Sequence, residues 1–168
     1  MAPEFYTHIP SPLGELTLAS DGKHLTGLWL PEQRFFAGTL SPDAAQKDDL
    51  PVFELARRWL EAYFSGQKPD VSQIPLAPKG TPFRQRVWQR LREIPYGETV
   101  TYGQIARELG EPMSPQAVGG AVGRNPISII IPCHRVVGTG GSLTGYASGL
   151  AAKQWLLKHE QNTDLSKE

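Results

Sequence analysis

Thr101-Tyr102-Gly103-Gln104-Ile105-Ala106-Arg107-Glu108-Leu109-Gly110, continued by Ser114-Pro115-Gln116-Ala117-Val118-Gly119-Gly120-Ala121-Val122, reads as two short helices on either side of a glycine-marked turn. Thr101 stands three residues before Gln104, the spacing at which a hydroxyl and a carboxamide cap a first turn reciprocally. Gly110 is placed to end that helix. Ser114-Pro115 repeats the start signal, a hydroxyl cap followed by the residue whose fixed φ suits the first helical position. The pair has the outline of a helix-turn-helix. Gly119 and Gly120 each weaken a helix interior by about 1 kcal/mol relative to Ala. Close approach of another surface would compensate, and a neighbouring helix and a nucleic-acid backbone are both open as that surface.

Upstream, Thr81-Pro82 caps a helix with Phe83, Val87, Trp88, Leu91 and Ile94 on one face and Arg84, Arg86, Arg90 and Arg92 on the other. Further upstream, Glu15–Ala19 and His24–Leu30 flank Asp21-Gly22, which predicts a β-hairpin. A helical stripe follows at Val52, Phe53, Leu55, Ala56, Trp59, Leu60, Tyr63 and Phe64 and ends at Gly66. Residues 67–80 lack periodicity and read as a linker. Downstream, Ile127–Ile131 is short enough for a buried strand that delivers Pro132-Cys133-His134-Arg135 at its end. A glycine-rich tract from Gly138 to Gly149 lacks the Lys-Ser/Thr of a phosphate loop, and a last helix is predicted from Leu150 to Glu160.

Composition narrows the class. With 39% hydrophobic and 20% charged residues, the chain has the balance of a water-soluble globular protein, and no apolar run approaches a membrane span. The first residues lack a secretory pattern, so a cytoplasmic location is expected. The net charge of zero hides an asymmetry: residues 1–78 hold six Lys/Arg against ten Asp/Glu, and 79–161 hold ten against five. The basic half suits a polyanion, though an ordinary solvated surface would look the same. One cysteine excludes an internal disulfide and a Cys-rich metal site.

That cysteine, Cys133, lies between Pro132 and the His134-Arg135 pair. An unperturbed thiol, with a pKa of about 8.5, is only slightly ionised at neutral pH, and adjacent cationic or basic groups can make it a nucleophile. A small buried hydrophobe fits the same residue types.

The blocks Ile94-Pro95-Tyr96-Gly97, Thr101-Tyr102-Gly103, Ala117-Val118-Gly119, Asn125-Pro126, Ile131-Pro132-Cys133-His134-Arg135-Val136-Val137, Gly145-Tyr146 and Leu156-Leu157-Lys158-His159-Glu160, in that order, resemble the O6-alkylguanine-DNA alkyltransferases. The resemblance covers residues 79–161, whereas the N-terminal region is similar only in size and character. It implies that Cys133 accepts an alkyl group from guanine O6 as a stable thioether. It further implies that His134 reaches the thiol through a water, that Glu160 orients His134, and that Tyr102 hydrogen-bonds the purine at N3. Asn125 would brace the turn carrying the cysteine. Val136 and Ala147 would read the guanine edge, and Tyr146 would wall the pocket. Gln116, Ala117, Gly119, Gly120, Arg124 and Arg135 would contact double-stranded DNA bearing O6-alkylguanine, with the helix-turn-helix in the minor groove and the lesion flipped out. No cofactor and no metal are implied for this chain, since the N-terminal region lacks the Cys that zinc-binding relatives use.

The resemblance completes the expected architecture. An α/β N-terminal domain, ribonuclease-H-like with an antiparallel sheet and a helix, would occupy residues 1–78 with its linker. A mostly α winged helix-turn-helix domain would follow over 79–161, then a flexible tail over 162–168, in a monomer. Many family members carry arginine where this chain has Gln116, which lacks the charge and stacking plane of a guanidinium. Repair of O4-alkylthymine stays open. A non-catalytic lesion binder and a thiol hydrolase or redox sensor are the other classes that the residues admit.

Overall fold

Asp21 and Gly22 reverse the chain because the Asp21 carboxylate accepts from the amides of Lys23 and His24 at 2.9 and 2.7 Å. Gly22 takes φ of +103°, a region that L side chains avoid. The runs on either side are β2 (Leu16–Ser20) and β3 (Leu25–Trp29), paired antiparallel, and β1 (Phe5–Ile9) pairs antiparallel on the other side of β2. These elements belong to a computed structural model that describes residues 3–31, 33, 36–110, 114–141 and 149–163.

The chain divides into two units. In the first, a two-residue strand, β4 (Ala45–Gln46), completes the sheet order β3-β2-β1-β4 and runs parallel to β1. The sequence pattern predicts only antiparallel strands, and two residues are too few to carry a period. All five residues of β2 and of β3 are buried, so this hairpin is covered on both faces. The helix α1 (Pro51–Phe64) packs on these strands through Val52, Phe53, Ala56, Trp59, Leu60 and Tyr63. Leu55, counted in the same stripe, is exposed.

The stretch expected as a linker is largely tied down. Asp70 caps a short 3-10 helix at Val71–Gln73 and accepts the Trp59 indole N–H on its carbonyl at 3.0 Å. Leu25 N donates to Pro75 O and Ala77 N to Leu25 O, which covers part of the β3 edge. Residues 126–130 also belong to this first unit. Leu28 N donates to Pro126 O at 2.8 Å, Ser128 N to Leu28 O at 3.0 Å, and Ser128 Oγ to Gln33 Oε1 at 3.1 Å. The run 127–131 is buried as expected, but it forms only an isolated bridge at Ile127, and Ile129 adopts φ of +70°. A β-branched residue there interrupts any strand.

The second unit takes residues 80–125 and resumes at Ile131. Thr81 caps α2 (Pro82–Leu91) by accepting from Arg84 N, and Thr101 caps α3 (Tyr102–Leu109) by accepting from Gln104 N. Ser114 caps α4 (Pro115–Gly123) by accepting from Ala117 N. The three starts read from sequence are therefore all capped as the residue types require. Val87, Trp88 and Leu91 of α2, Ile105 and Ala106 of α3, and Val118, Ala121 and Val122 of α4 are buried. The Trp88 indole donates to Ala121 O at 2.8 Å. A two-stranded parallel pair, β5 (Val100–Thr101) with β6 (Val136–Val137), and the last helix, α5 (Leu150–Thr163), complete the unit. An α/β unit thus precedes a mostly helical one built on a helix-turn-helix.

Glycines at two positions separate packing from open space. A Cβ on Gly80 would lie 2.3 Å from Cη2 of Trp88, whereas one on Gly120 would meet nothing within 4 Å. Gly80→Ala is expected to destabilise by about 1–3 kcal/mol through overpacking. Gly120→Ala is expected to stabilise by up to about 1 kcal/mol through helix propensity. Urea unfolding of the two variants checks both signs.

Candidate active site

Cys133 opens a one-turn 3-10 helix, Cys133–Arg135, that is tied at both ends. On the entry side, Cys133 N donates to Ile131 O at 2.8 Å, and the same carbonyl accepts from the Asn125 carboxamide at 2.9 Å. Asn125 therefore joins the point where the chain leaves the second unit to the point where it returns. On the exit side, Val136 N donates to Cys133 O, and the chain continues straight into β6. Cys133 as a whole is 4% exposed.

The next residue, His134, is fully buried, and its Nε2 lies 2.5 Å from Oε2 of Glu160 on α5. Glu160 reaches it because Lys153, Leu156 and Glu160, spaced by three and four, form the buried stripe of that helix. Oε1 of the same carboxylate accepts from Gly97 N at 3.1 Å and from Arg135 Nε at 2.8 Å, and Oε2 also accepts from Arg135 Nη2 at 3.1 Å. Burial pushes the Glu160 carboxyl up, but the His134 and Arg135 contacts outweigh it and hold the group well below the usual carboxylate range. An ionised carboxylate only accepts, so Nε2 of His134 carries a proton, and in the neutral ring Nδ1 then holds the lone pair. That Nδ1 is buried with no hydrogen-bond partner among the described residues. Burial is also the main cause that pushes the imidazole below the ordinary histidine range, against the pull of Glu160.

Tyr102 begins α3, where the Thr101 cap fixes its direction. Burial, reinforced by charge on Cys133, pushes its phenol up to about 12. It is therefore a hydrogen-bond donor at neutral pH. Gly119 of α4 faces this ring: a Cβ there would come 3.8 Å from Tyr102 Cδ1. Gly119 is thus explained by packing within the chain, while Gly120 faces open space.

Lys153, absent from the sequence reading, is 0% exposed and sets its ammonium 5.7 Å from the centroid of the Tyr102 ring. Burial pushes it below the usual lysine range, and Cys133 pulls it back up. Counting back along α5 from Glu160 by four and three would have placed Lys153 on the inward stripe.

The structure thus brings Cys133, His134, Glu160 and Asn125 into one connected group, with Tyr102 and Lys153 beside it. Gln116, Ala117 and Gly120 are exposed on α4, Arg124 is exposed at its C-cap, and Gly119 is partly covered. Arg135, expected with them as a DNA contact, instead turns inward: it is 8% exposed, binds Glu160, and donates from Nη1 to Ile94 O at 2.7 Å. Its guanidinium also lies 5.6 Å from the centroid of the Tyr96 ring. Val136 is buried as part of β6. Tyr146 and Ala147 lie outside the described residues. Among the described residues no group of three or more His, Cys, Asp or Glu could hold a metal ion, and no helix is long and apolar enough to cross a membrane.

The profile of the DNA-binding domain of 6-O-methylguanine DNA methyltransferase matches residues 82–162, and that of its ribonuclease-like domain matches residues 5–78. The methylated-DNA–protein-cysteine methyltransferase of Haemophilus influenzae is 47% identical over 157 residues, covering 94% of this chain and 86% of its own. That of Methanosarcina barkeri is 49% identical over 160 residues, covering 94% and 98%. Among solved structures, the Mycobacterium tuberculosis OGT in complex with DNA superposes with a TM-score of 0.83 at 44% identity, covering 95% of this chain and 94% of that one.

Removing the Asn125 carboxamide leaves the buried Ile131 carbonyl one donor short. Asn125→Ala is expected to destabilise by about 1–3 kcal/mol. A denaturant melt reads the loss, and an unchanged midpoint would contradict the bracing role.

Proposed function

The chain belongs to the 6-O-methylguanine DNA methyltransferase family, and on that premise we propose that Cys133 is the methyl acceptor in a single-turnover repair of O6-methylguanine in duplex DNA. The activity class is methylated-DNA–protein-cysteine methyltransfer in DNA repair. The observation that carries the assignment of Cys133 is the buried His134 directly after it, with Nε2 held by Glu160 and Nδ1 without a hydrogen-bond partner among the described residues.

The chemistry follows from those atoms. His134 Nδ1 takes the thiol proton through a water, and the thiolate attacks the methyl carbon in line with the C–O6 bond. A C–S bond forms as the C–O bond breaks, and the electron pair goes to the purine. Tyr102, held protonated, donates to purine N3 as the charge develops, and the guanine recovers the proton that the thiol gave up. Because a thioether has no ready leaving group under these conditions, the protein stops after one event. In a duplex O6 lies on the major-groove edge, out of reach of a buried thiol approaching from the minor groove, so the nucleotide is extruded at an unstacking cost of a few kcal/mol. The exposed row Gln116, Ala117, Gly120 and Arg124 supports α4 as the groove-facing helix, with the open space over Gly120 admitting a sugar-phosphate backbone. Minor-groove docking carries little sequence information, which suits repair at any site. Gln116 fills the gap left by the extruded base and hydrogen-bonds the orphaned cytosine. Acceptance of O4-alkylthymine is left to the size of the pocket.

Intact mass tests the assignment. After exposure to excess O6-methylguanine oligonucleotide, each chain is expected to gain one CH2, as S–H becomes S–CH3, and Cys133→Ala to gain none while still binding DNA. A methylated Cys133→Ala protein would disprove the nucleophile. A lesion binder would gain no mass, and a hydrolase would turn over repeatedly.

Gln116→Arg is expected to accelerate repair of duplex DNA. A charged hydrogen bond exceeds a neutral one by about 1 kcal/mol, roughly fivefold in rate. Repair of the single strand is expected to stay the same. Equal duplex rates would remove the gap-filling role of this position.

A further inference from the structure

A Cys-His-Glu relay requires only one partner for the carboxylate, yet Glu160 is also gripped by Arg135. The guanidinium makes two contacts with it, Nε to Oε1 at 2.8 Å and Nη2 to Oε2 at 3.1 Å, while Nη1 is anchored on Ile94 O at 2.7 Å. Arg135 is thus oriented by three hydrogen bonds in a site where it is 8% exposed. Such burial of a charge is costly unless it answers another charge.

The charges around His134 show what it answers. From its own turn come the Cys133 thiol and Arg135, from α5 come Glu160 and Lys153, and Tyr102 faces the thiol from α3. Without Arg135, the buried Glu160 anion would have His134 as its hydrogen-bonded counter-group, and the imidazole would take a second proton to neutralise it. Its Nδ1 would then carry hydrogen and could accept nothing from the thiol. With Arg135 in place the carboxylate is already neutralised. We propose that Arg135 is a positioning residue that takes up the charge of Glu160, so that His134 rests uncharged with Nδ1 unprotonated and ready for the Cys133 proton. This rests on the reading of Cys133 as the nucleophile and adds a fourth member to its relay.

The direction of the effect does not depend on which group holds a given proton. Removing a buried cation raises the proton affinity of every neighbour, so the macroscopic acid limb of the reaction moves to higher pH. Two measurements test this. In the first, single-turnover methyl transfer from an O6-methylguanine oligonucleotide is followed against pH for the wild type, Arg135→Met and Arg135→Lys. The acid limb of Arg135→Met is expected to rise by about one pH unit or more. That of Arg135→Lys, which keeps the cation but not the fork, is expected to stay within about 0.3 unit of the wild type, with a lower plateau rate. Superimposable limbs for the wild type and Arg135→Met, or equal displacement in both variants, would overturn the proposal. In the second, nitrogen-15 NMR of the His134 ring in the unmodified protein needs no variant to fold and no transfer to occur. It is expected to show the neutral Nε2–H tautomer at neutral pH, and an imidazolium would overturn the proposal. A wild type that transfers no methyl at all refutes the nucleophile assignment separately, since the NMR result would stand by itself.

Discussion

One buried carboxylate organises the reactive part of this chain. Glu160 accepts hydrogen bonds from Gly97 N, His134 Nε2 and two nitrogens of Arg135, and these donors come from the turn before β5 and the 3-10 turn that carries the thiol. An ionised carboxylate has about four lone-pair positions, enough to receive all of these donors. Its charge, the tautomer of His134 and the inward turn of Arg135 are consequences of that single arrangement. The same contacts pin the Cys133 turn to α5, so one set of atoms both stabilises that turn and fixes the ring that the proposed relay uses.

Around this centre the backbone is fixed by small, local devices. The Asn125 carboxamide and Cys133 N share the Ile131 carbonyl, and β6 takes up the chain three residues after the thiol. Tyr102 is aimed by a threonine cap and has a glycine of α4 in front of its ring. A reacting group held this way loses little further freedom at the moment of reaction, the condition under which orientation contributes most to rate. On the exposed side of α4, by contrast, Gly120 looks into open space, and the missing side chain leaves room for another surface to approach closely.

Much of this was legible in the residues because the signals are local. Thr81, Thr101 and Ser114 announced their helices, since a cap needs only a hydroxyl and a free amide within three residues. Asp21-Gly22 announced the hairpin. Features that depend on distant partners were not legible. The two-residue β4 exists through pairing with β1, the supposed linker is held by Leu25 and Trp59, and the run after Asn125 is diverted into the first unit. Arg135 illustrates the limit most clearly: the resemblance implied a DNA contact, and only the position of Glu160 on α5 reveals that its charge is engaged inside. Lys153 was missed for a related reason, because a lysine is rarely buried and the α5 stripe that includes it is short.

The central claim is that one sulfur receives one methyl and keeps it. Titration of the protein with an oligonucleotide whose O6-methyl carbon is carbon-13 tests this directly by NMR. The account predicts a single new thioether methyl resonance that saturates at one per chain and is missing from Cys133→Ser. A signal that never appears while the lesion persists, or methyl release that continues beyond one equivalent, would contradict it.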